Sequence, residues 1–317
     1  MDLSIIVVNW NSVAYVRKCL GAIAHNSGGL DIEVIVVDNA SFDGCHEVVS
    51  REFPEAVFIQ NKDNLGFGVT NNLAAARAKG SRLLFLNPDT EVLGDALAQM
   101  ASIFERRPEA GAVGCALRNT DGTIQTSCIQ PFPTILNQAL DSEIILHMAS
   151  KFGFWGVGPL LSSAKGLYKV DVISGACLMV RKAAFQAIGG FSPDYFMYTE
   201  DIDLCYRMRL AGFVNYYICS AAVVHHGGGS SSNRKERSFA NVQMRESVYK
   251  YFRKTRGRLY ASCYRSTMLT VALARLGLLA ALSVPFAFVG RFPSIRSSLI
   301  KWLSILRWSL ALEKWAR

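Results

Sequence analysis

The sequence predicts an α/β protein with a doubly wound sheet, followed by a basic helical segment. Apolar runs of strand length alternate with segments of helical periodicity, which is the pattern of a mostly parallel sheet. Several of these runs end at Asn or Asp, and the carboxyl ends of parallel strands meet at one edge, where open sheets bind ligands. The chain of 317 residues is long enough for one large domain with an appendage.

Each of four predicted strands is followed, within four residues, by a polar residue. Their runs are rich in Val, Ile and Leu, as in strands that are buried on both faces. Helices are expected between them because apolar residues recur at helical spacing, and Ser12 is placed to cap the first helix. The strands and the residues that follow them are 3–8 before Asn9, 33–37 before Asp38, 56–60 before Asn64, and 83–86 before Asp89. We expect these four polar residues to gather at one crevice.

Asp89 is the feature around which this part of the chain is organised. The apolar run 83–86 leads to Asn87 and Pro88, and proline cannot donate to a sheet ladder, so strand pairing should stop there. Asp89 then stands just beyond the carboxyl end of a buried strand. A lone acid in that place is usually a turn residue or a helix cap, so the prediction of a ligand site depends on the other polar clusters.

The pattern changes in the middle of the chain. Residues 111–117 and 123–128 flank Asp121-Gly122, which is a strong hairpin signal. The stretch 130–165 is irregular and suits either a loop that covers a site or a simple connection. The remaining strand-like runs are 168–180, interrupted at Ser174-Gly175-Ala176, and 222–224.

Two further clusters carry candidate chemistry. A helix is predicted to start near Glu200, and Asp203 can pair with Arg207 one turn later, which is a structural role. The adjacent Glu200 and Asp201 need another explanation, because neighbouring carboxylates raise each other's pKa and paired acids in a cleft are typical of a general base. His225 ends a strand and opens a glycine-rich loop, so it is a candidate metal ligand, although a lone histidine is more often structural. The predicted core face of the helix is Ile202, Cys205, Tyr206, Leu210 and Phe213.

Taken in order, these motifs resemble those of inverting glycosyltransferases of family 2, which have the GT-A fold, and within that family the bacterial rhamnosyltransferase-like branch. The resemblance covers about residues 1–255. It implies a GT-A nucleotide-diphospho-sugar transferase domain with a doubly wound mixed sheet at 1–255, and a helical appendage at 256–317. The motifs are Val7-Val8-Asn9-Trp10-Asn11, Asp38-Asn39-Ala40-Ser41, Asn64-Leu65-Gly66-Phe67-Gly68, Asn87-Pro88-Asp89, Thr199-Glu200-Asp201-Ile202-Asp203 and His225-His226-Gly227-Gly228-Gly229-Ser230.

The resemblance implies how the chain would hold its donor, a dTDP- or UDP-sugar. Asp38 resembles the residue that hydrogen-bonds the pyrimidine ring, with the backbone of Val8 and Asn9 lining the base pocket. Asn64 and Gly66 resemble the loop that packs against the nucleotide and the donor sugar.

The resemblance also implies a metal site. Asp89 resembles the metal-ligating acid of a D-x-D motif, but Asn87 replaces the first acid and Pro88 stands between them. His225 resembles the histidine that completes the metal or diphosphate site. Oxygen ligands suit Mg²⁺ or Mn²⁺, and a histidine favours Mn²⁺ slightly. Such a cation would stabilise the charge that develops on the leaving diphosphate.

Asp201 resembles the catalytic base of the family, with Glu200 beside it. In this chemistry the acceptor hydroxyl loses a proton as it attacks the anomeric carbon from the face opposite the diphosphate. One in-line displacement inverts the anomeric configuration and requires no covalent intermediate, so no activated Ser or Cys is expected.

Cysteine usage and the N-terminal residues indicate the compartment. None of the eight cysteines forms a C-x-x-C pair, so neither a zinc site nor a disulfide framework is expected. Several lie in apolar runs and are expected to be buried in a protein of a reducing compartment. The first residues lack a basic segment before an apolar one, so no signal peptide is expected.

The C-terminal quarter carries all of the basicity. Residues 1–233 hold 17 Lys and Arg against 22 Asp and Glu, whereas residues 234–317 hold 17 against 3. The apolar run 268–290 contains Arg275 and Pro285, and both disfavour a clean membrane span. Residues 298–317 mix Leu and Trp with Lys and Arg, which is typical of an interfacial helix.

We expect this tail to dock on anionic lipid, because basic residues flank its apolar segments. The enzyme would then lie at the cytoplasmic face of the bacterial cell membrane as a peripheral or monotopic protein. An ordinary core helix or a homo-oligomer interface is the alternative. Nucleic acid is not an expected partner, since no readout motif is present.

The expected function is transfer of a single sugar, L-rhamnose from dTDP-L-rhamnose, to a lipid-linked or cell-surface glycan. A UDP-hexose-dependent transferase of the same family and an inactive nucleotide-sugar-binding homologue remain open. A sugar-phosphate nucleotidyltransferase usually has a glycine-rich loop after its first strand, which Asn9-Trp10-Asn11-Ser12 does not supply. A processive polysaccharide synthase is disfavoured because the chain has no Q-x-x-R-W stretch.

Overall fold

The computed structural model describes residues 1–140, 166–227, 234–287, 292–313 and Trp315. Within these ranges the chain forms two compact units. The first unit holds residues 1–132, 166–196 and 200–227, and the second holds 133–140, 197–199 and the described residues from 234 onward. The glycines after Gly227 and most of the irregular stretch predicted at 130–165 lie outside the described residues. Every site residue predicted above belongs to the first unit.

A mixed sheet, nine-stranded over the described residues, forms the centre of the first unit. Its first half is parallel: β1 (Leu3–Asn9) pairs with β2 (Ile32–Asp38) and with β4 (Arg82–Leu86), and β2 pairs with β3 (Val57–Gln60). Every residue of β1 is buried, as expected for a strand covered on both faces. The carboxyl ends of these four strands therefore meet at one edge.

The second half of the sheet mixes strand directions. Strand β10 (Cys177–Arg181) lies between β4 and β6 (Ala110–Arg118) and is antiparallel to both, so it joins the two halves of the sheet. The long strand β11 (Val214–His225) is parallel to β6, and it pairs antiparallel with β5 (Thr90–Val92) and β8 (Leu167–Val170). A separate short pair joins β7 (Ile129–Gln130) to β9 (Val172–Ile173). The predicted doubly wound mixed sheet is confirmed.

Helices connect the strands and form the second unit. Helix α1 follows Ser12 as predicted, but the Ser12 hydroxyl donates to Asn9 Oδ1 (2.9 Å), and the carboxylate of Asp43 instead accepts the N–H of Val13 (2.9 Å). The loop after β2 thus supplies the cap of α1. The helices are α1 (Val13–His25), α2 (Cys45–Glu52), α3 (Phe67–Ala75), α4 (Ala96–Arg106), α5 (Ile135–Ala139), α6 (Lys182–Ala187), α7 (Glu200–Leu210), α8 (Arg234–Ala287) and α9 (Phe292–Ser309).

Three predicted elements differ from the structure. Residues 123–128 form one bridge, between Arg118 and Ile124, and a 3-10 turn at Thr126–Cys128, so the predicted second hairpin strand is wrong. The strand predicted at 222–224 is the end of β11, which begins at Val214. On α7, Ile202 and Cys205 are buried as predicted, but Leu210 is 69% exposed because the helix ends there.

The eight cysteines are free, and six of them are buried, as predicted for small hydrophobic residues. Cys115 and Cys177 lie on neighbouring strands with their sulfur atoms 3.6 Å apart. Cys263, on α8, is exposed.

The second unit has a core of its own between α8 and α9. Trp308 is 1% exposed, and its indole N–H donates to Glu246 Oε2 (2.8 Å), which also accepts from Arg265 (2.9 Å). The Arg265 guanidinium lies over the rings of Tyr249 (4.3 Å) and Trp308 (4.8 Å). A buried carboxylate is therefore neutralised by an arginine that aromatic rings cover.

Two tryptophans of the tail are buried inside the second unit and do not face a membrane interface as predicted. Trp302 is buried, and the guanidinium of Arg275 lies 4.8 Å from the centre of its ring, so the charge in the apolar run has an intramolecular partner. The prediction that these residues face a membrane interface is wrong for Trp302 and Trp308, since both fill the space between α8 and α9. Trp315 is half-exposed and stacks on Phe239. Over the described parts of the chain, no helix has the length and apolar character to cross a membrane.

Candidate active site

The carboxyl edge of the parallel strands brings Asn9 and Asp38 side by side. They are register partners at the ends of β1 and β2, and Asn9 Nδ2 donates to Asp38 Oδ1 (2.7 Å). The backbone N–H of Asn39 donates to the carbonyl of Asn9 (2.8 Å) and continues the ladder past the strand ends. Asn9 and Asp38 thus lie together at the carboxyl edge of the sheet, as two of the four residues predicted to gather there.

Asp38 is 1% exposed, and its carboxylate accepts hydrogen bonds from its own surroundings. The donors besides Asn9 are the hydroxyl of Ser41, the amide of Gln60 (2.6 Å), and the N–H groups of Ser41 and Phe42 (3.2 Å each). Burial alone would raise the pKa of Asp38, but the hydrogen bonds from Ser41, Gln60, Phe42 and Asn9 outweigh it and hold that pKa below its usual range. An ionised, fixed carboxylate therefore shapes the loop after β2.

Asn39 joins the end of β2 to the loop that carries Asn64. Its Nδ2 donates to Asn64 Oδ1 (2.7 Å), while its Oδ1 accepts from the N–H of Leu65 (3.1 Å) and the hydroxyl of Thr70 (2.9 Å). Sequence reasoning assigned Asn39 no role of its own. The available signal was its side chain, because an amide just beyond a strand end can donate and accept at once.

Gly66 lies against the segment that precedes Glu200. Its φ is +78°, and a Cβ at this position would come within 2.2 Å of the carbonyl oxygen of Phe196. The N–H of Phe67 donates to that same oxygen (2.9 Å), and Asn64 Oδ1 accepts the N–H of Gly66 (3.0 Å). Only glycine allows this close approach.

Asp89 and His225 converge from two strands, as predicted. Asp89 follows β4, His225 ends β11, and Asp89 Oδ1 lies 3.4 Å from His225 Nε2. The carbonyl of Asp89 also accepts the N–H of His226 (2.9 Å), which fixes the two chain segments together. Burial raises the pKa of Asp89, but the hydrogen bond and the charge of His225 outweigh it, so the pKa lies below its usual range.

This pair fits a hexacoordinate divalent cation. Adjacent ligands at about 2.1 Å from such a cation lie roughly 3 Å apart, close to the observed 3.4 Å. The backbone of Asn87 is fixed by hydrogen bonds to the carbonyl of Ala176 (3.0 Å) and from the hydroxyl of Thr90 (2.7 Å). Among the described residues no group of three His, Cys, Asp or Glu side chains surrounds a common point.

Glu200 and Asp201 stand in the first turn of α7. Asp201 Oδ2 accepts the N–H of Gly175 (2.9 Å), and its Oδ1 accepts the N–H of Ile202 (2.8 Å). Burial raises the pKa of Asp201. Glu200 is 7% exposed, and its Oε2 has no hydrogen-bond partner among the described residues. The pKa of Glu200 is raised to about 8, mainly by burial and to a smaller extent by the charge of Asp201.

The two acids therefore have different chemical characters. Two backbone N–H groups favour the ionised form of Asp201, whereas Glu200 is the carboxyl that retains a proton near neutral pH. Asp203, one turn further on, has the structural role predicted for it, because it accepts from Arg207 Nε (2.6 Å) and from the hydroxyl of Tyr195 (3.3 Å).

The first unit has the GT-A fold. The structure of the mannosyltransferase PcManGT from Pyrobaculum calidifontis in complex with GDP-Man and Mn2+ aligns with 98% of this chain and 86% of its own chain, with a TM-score of 0.62 at 16% identity. Residues 4–189 match the family model for Glycosyl transferase family 2, and the chain belongs to that family. Membership of this family makes the chain a glycosyltransferase.

Two relatives identify the branch of the family. The N-acetylglucosaminyl-diphospho-decaprenol L-rhamnosyltransferase of Mycobacterium tuberculosis (strain ATCC 25618 / H37Rv) is 28% identical over 207 residues, which are 60% of this chain and 65% of that protein. Rhamnosyltransferase WbbL of Escherichia coli (strain K12) is 27% identical over 224 residues, 68% of this chain and 79% of that protein. The predicted resemblance to the rhamnosyltransferase-like branch is confirmed.

Proposed function

We propose that this glycosyltransferase transfers one L-rhamnosyl group from dTDP-L-rhamnose to a lipid-linked glycan, with inversion and with the help of a divalent cation. The observation that carries the proposal is the convergence of Asp89 and His225 from two strands at 3.4 Å. The names of the two relatives support the sugar, and the name of the mycobacterial relative supports a prenyl-diphosphate-linked acceptor.

Asp89 and His225 would hold the cation. When bound, it would neutralise the negative charge that develops on the leaving diphosphate. Asn87 contributes no charge, so Asp89 is the only carboxylate that this motif offers. A site with few protein charges keeps open positions for the oxygens of the donor diphosphate.

Asp201 would accept the proton of the acceptor hydroxyl. As that oxygen bonds to the anomeric carbon, the bond from this carbon to the diphosphate oxygen breaks, and the proton moves to a carboxylate oxygen of Asp201. The N–H groups of Gly175 and Ile202 orient the carboxylate for this step. Glu200 would remain protonated and neutral, so that Asp201 would be the only negatively charged carboxylate of the two.

The crevice at Val8, Asn9 and Asp38 would take the pyrimidine. The ionised carboxylate of Asp38 would accept the N–H of a pyrimidine imide, which thymine and uracil share, in place of one of the donors that now bond to it. Asn64 and Gly66 would pack against the nucleotide and its sugar. A UDP-hexose donor remains the alternative, because this recognition does not distinguish the two bases.

The second unit would dock the enzyme on anionic lipid at the cytoplasmic face of the membrane. Leu273 and Leu278 on α8 are more than half exposed, and the exposed cations Arg253, Arg256 and Arg258 precede them, on either side of the break that Gly257 makes in α8 (φ +88°). Apolar side chains together with several cations bind an anionic bilayer more strongly than either group alone.

A donor screen tests the proposal. Purified protein with Mn²⁺ or Mg²⁺ receives dTDP-L-rhamnose or UDP-hexoses and a prenyl-diphosphate-linked N-acetylglucosamine acceptor, and NMR reads the anomeric configuration of the product. Rhamnosyl transfer with inversion is expected. Transfer from a UDP-hexose alone would establish the alternative, and hydrolysis or transfer from no donor would indicate an inactive homologue.

A further inference from the structure

A chain of hydrogen bonds runs from a surface turn to the candidate metal site. It begins at Asp121, whose Oδ1 accepts from the hydroxyl of Thr123 (2.6 Å) and from its N–H (2.9 Å). These bonds hold the pKa of Asp121 below its usual range, so its carboxylate is ionised and can only accept. The hydroxyl proton of Thr123 therefore points to Asp121, and the oxygen of Thr123 is left to accept.

The next two side chains have their amide orientations fixed in turn. Asn119 Nδ2 donates to the hydroxyl oxygen of Thr123 (2.9 Å), which turns Asn119 Oδ1 toward Gln125. Gln125 Nε2 donates to that Oδ1 (2.9 Å) and to the carbonyl oxygen of His225 (2.7 Å). Both N–H bonds of the Gln125 amide are then used, and its Oε1 faces the ring of His225.

The last bond decides the tautomer of the histidine. Gln125 Oε1 lies 2.8 Å from His225 Nδ1, and an amide oxygen can only accept, so Nδ1 carries the hydrogen. In the neutral ring the lone pair is then on Nε2, which faces Asp89 Oδ1 at 3.4 Å. A positive group fits between these two atoms, either a second ring proton or a divalent cation.

We infer that Gln125 is a positioning residue, which fixes the Nδ1–H tautomer of His225 and thereby directs the Nε2 lone pair at the cation site beside Asp89. The inference rests on the metal site proposed above. Asp121, Thr123, Asn119 and Gln125, here called the hairpin relay, act only through His225. The backbone of Gln125 is fixed as well, because its N–H donates to the carbonyl of Leu117 (2.8 Å).

The substitution Gln125→Met keeps the approximate size of the side chain and removes the acceptor. Outer-shell partners of metal-binding histidines are worth about 10–100-fold in metal affinity, so Mn²⁺ should bind that much more weakly. Gln125→Glu keeps an acceptor for Nδ1–H but loses the N–H groups that bond to Asn119 and to the carbonyl of His225, so it should restore the tautomer and only part of the affinity. Thr123→Val cuts the relay at an exposed residue and should weaken binding less than Gln125→Met.

The experiment has two readouts on the full chain without substrates. Mn²⁺ affinity is measured by electron paramagnetic resonance, and the tautomer of His225 in the metal-free protein is read from its ring ¹⁵N shifts, assigned with His225→Asn. Gln99→Met, a glutamine substitution on α4, is the matched control. Thermal melting of every variant separates loss of fold from loss of positioning.

The expected result is an Nδ1–H tautomer in the wild type, and a changed tautomer mixture with weaker Mn²⁺ binding in Gln125→Met. Gln125→Glu should recover the Nδ1–H tautomer and part of the Mn²⁺ affinity. An Nε2–H tautomer in the wild type would overturn the inference, as would equal Mn²⁺ affinity in wild type and Gln125→Met. If Gln125→Met does not fold, the same comparison is made with Thr123→Val and Gln125→Glu. A wild-type protein that binds no Mn²⁺ would refute the proposed metal site, and the tautomer would then decide the inference alone.

Discussion

Asp89 Oδ1 and His225 Nε2 face each other across 3.4 Å, one just beyond β4 and the other at the end of β11. The strands do not pair with each other, and β10 and β6 lie between them in the sheet. The close approach is made by the short strand β5, which follows Asp89 and pairs with the end of β11 at Thr90 and His225. The turn at Asn87 and Pro88 thus carries Asp89 across to the histidine.

Removing the carboxylate of Asp89 should abolish cation-dependent transfer. Asp89→Ala is expected to lose Mn²⁺-stimulated turnover while its melting temperature stays near that of the wild type, because the side chain is at the edge of the sheet. Initial rates with Mn²⁺ and with chelator measure the effect, and the exposed Asp95→Ala is the control. Full activity of Asp89→Ala, or of the wild type in excess chelator, would contradict a role for the cation in transfer.

Asp201→Asn should separate catalysis from binding. Asparagine can still accept from the N–H groups of Gly175 and Ile202, but it cannot take a proton from the acceptor. The turnover number should fall by roughly 10²–10⁴-fold, the usual contribution of general base catalysis, with nucleotide affinity nearly unchanged. Steady-state rates and calorimetry measure the two quantities, with Asp171→Asn as the control. Wild-type turnover in Asp201→Asn would move the base to Glu200.

The protonated Glu200 makes stability depend on pH. Its pKa is about 8 in the folded protein and about 4.3 in an unfolded chain, so only the folded state holds this proton between those values. The free energy of unfolding should therefore decrease as pH rises through this window, by at most about 1.4 kcal/mol per pH unit from this group. Glu200→Gln lacks this loss, so its stability relative to wild type should increase with pH.

Urea denaturation of both proteins across the range from acidic to mildly alkaline pH measures that difference. The exposed Glu55→Gln is the control, for which the difference should stay constant. A constant difference for Glu200→Gln as well would mean that Glu200 is ionised throughout.

The donor base is tested with the nucleotides alone. Calorimetry with dTDP and UDP in the presence of Mn²⁺ should show dTDP binding at least as tightly as UDP if rhamnose is the donor sugar. Asp38→Asn should weaken both equally, since thymine and uracil present the same imide. Clearly tighter binding of UDP would contradict dTDP-L-rhamnose.

Membrane docking is tested by surface substitutions on α8. Ending the chain at Gly257 would leave Glu246 without Arg265 and Trp308, so truncation confuses docking with loss of the core of the second unit. Replacing Leu273 and Leu278 by serine should instead reduce co-sedimentation with anionic vesicles and leave transfer to a short soluble acceptor unchanged. The exposed Leu210→Ser on α7 is the control. A wild-type protein that does not pellet with anionic vesicles would contradict docking.

The sequence was sufficient to predict which residues share an edge. Strand periodicity and strand-ending residues predicted the proximity of Asn9 and Asp38, because neighbouring parallel strands end at the same edge. The proximity of Asp89 and His225 was implied by the resemblance to the family, and in the structure it depends on β5. The pairing of Asp203 with Arg207 followed from helical spacing alone. Local rules therefore account for contacts within one helix or along one sheet edge.

Other contacts could not be predicted, because they depend on where distant segments meet. The bonds of Gln125 to His225 require a turn whose backbone leaves the strand direction, and hairpin statistics do not contain that information. Amphipathic spacing likewise showed that Trp302 and Trp308 share an apolar face with basic residues nearby. It did not show whether protein or lipid covers that face, and in this chain α8 covers it.

Gly66 has a consequence for substrate order. The carbonyl of Phe196 accepts from Phe67 and leaves no room for a side chain at Gly66, so the loop predicted to hold the donor and the lead-in to the acids at the start of α7 are in direct contact. Three residues separate Phe196 from Glu200, so we expect a shift of this loop on donor binding to displace the start of α7 as well. The acids at the start of α7 would then reach their working position only after the donor has bound, and binding of donor before acceptor is the order expected from this contact.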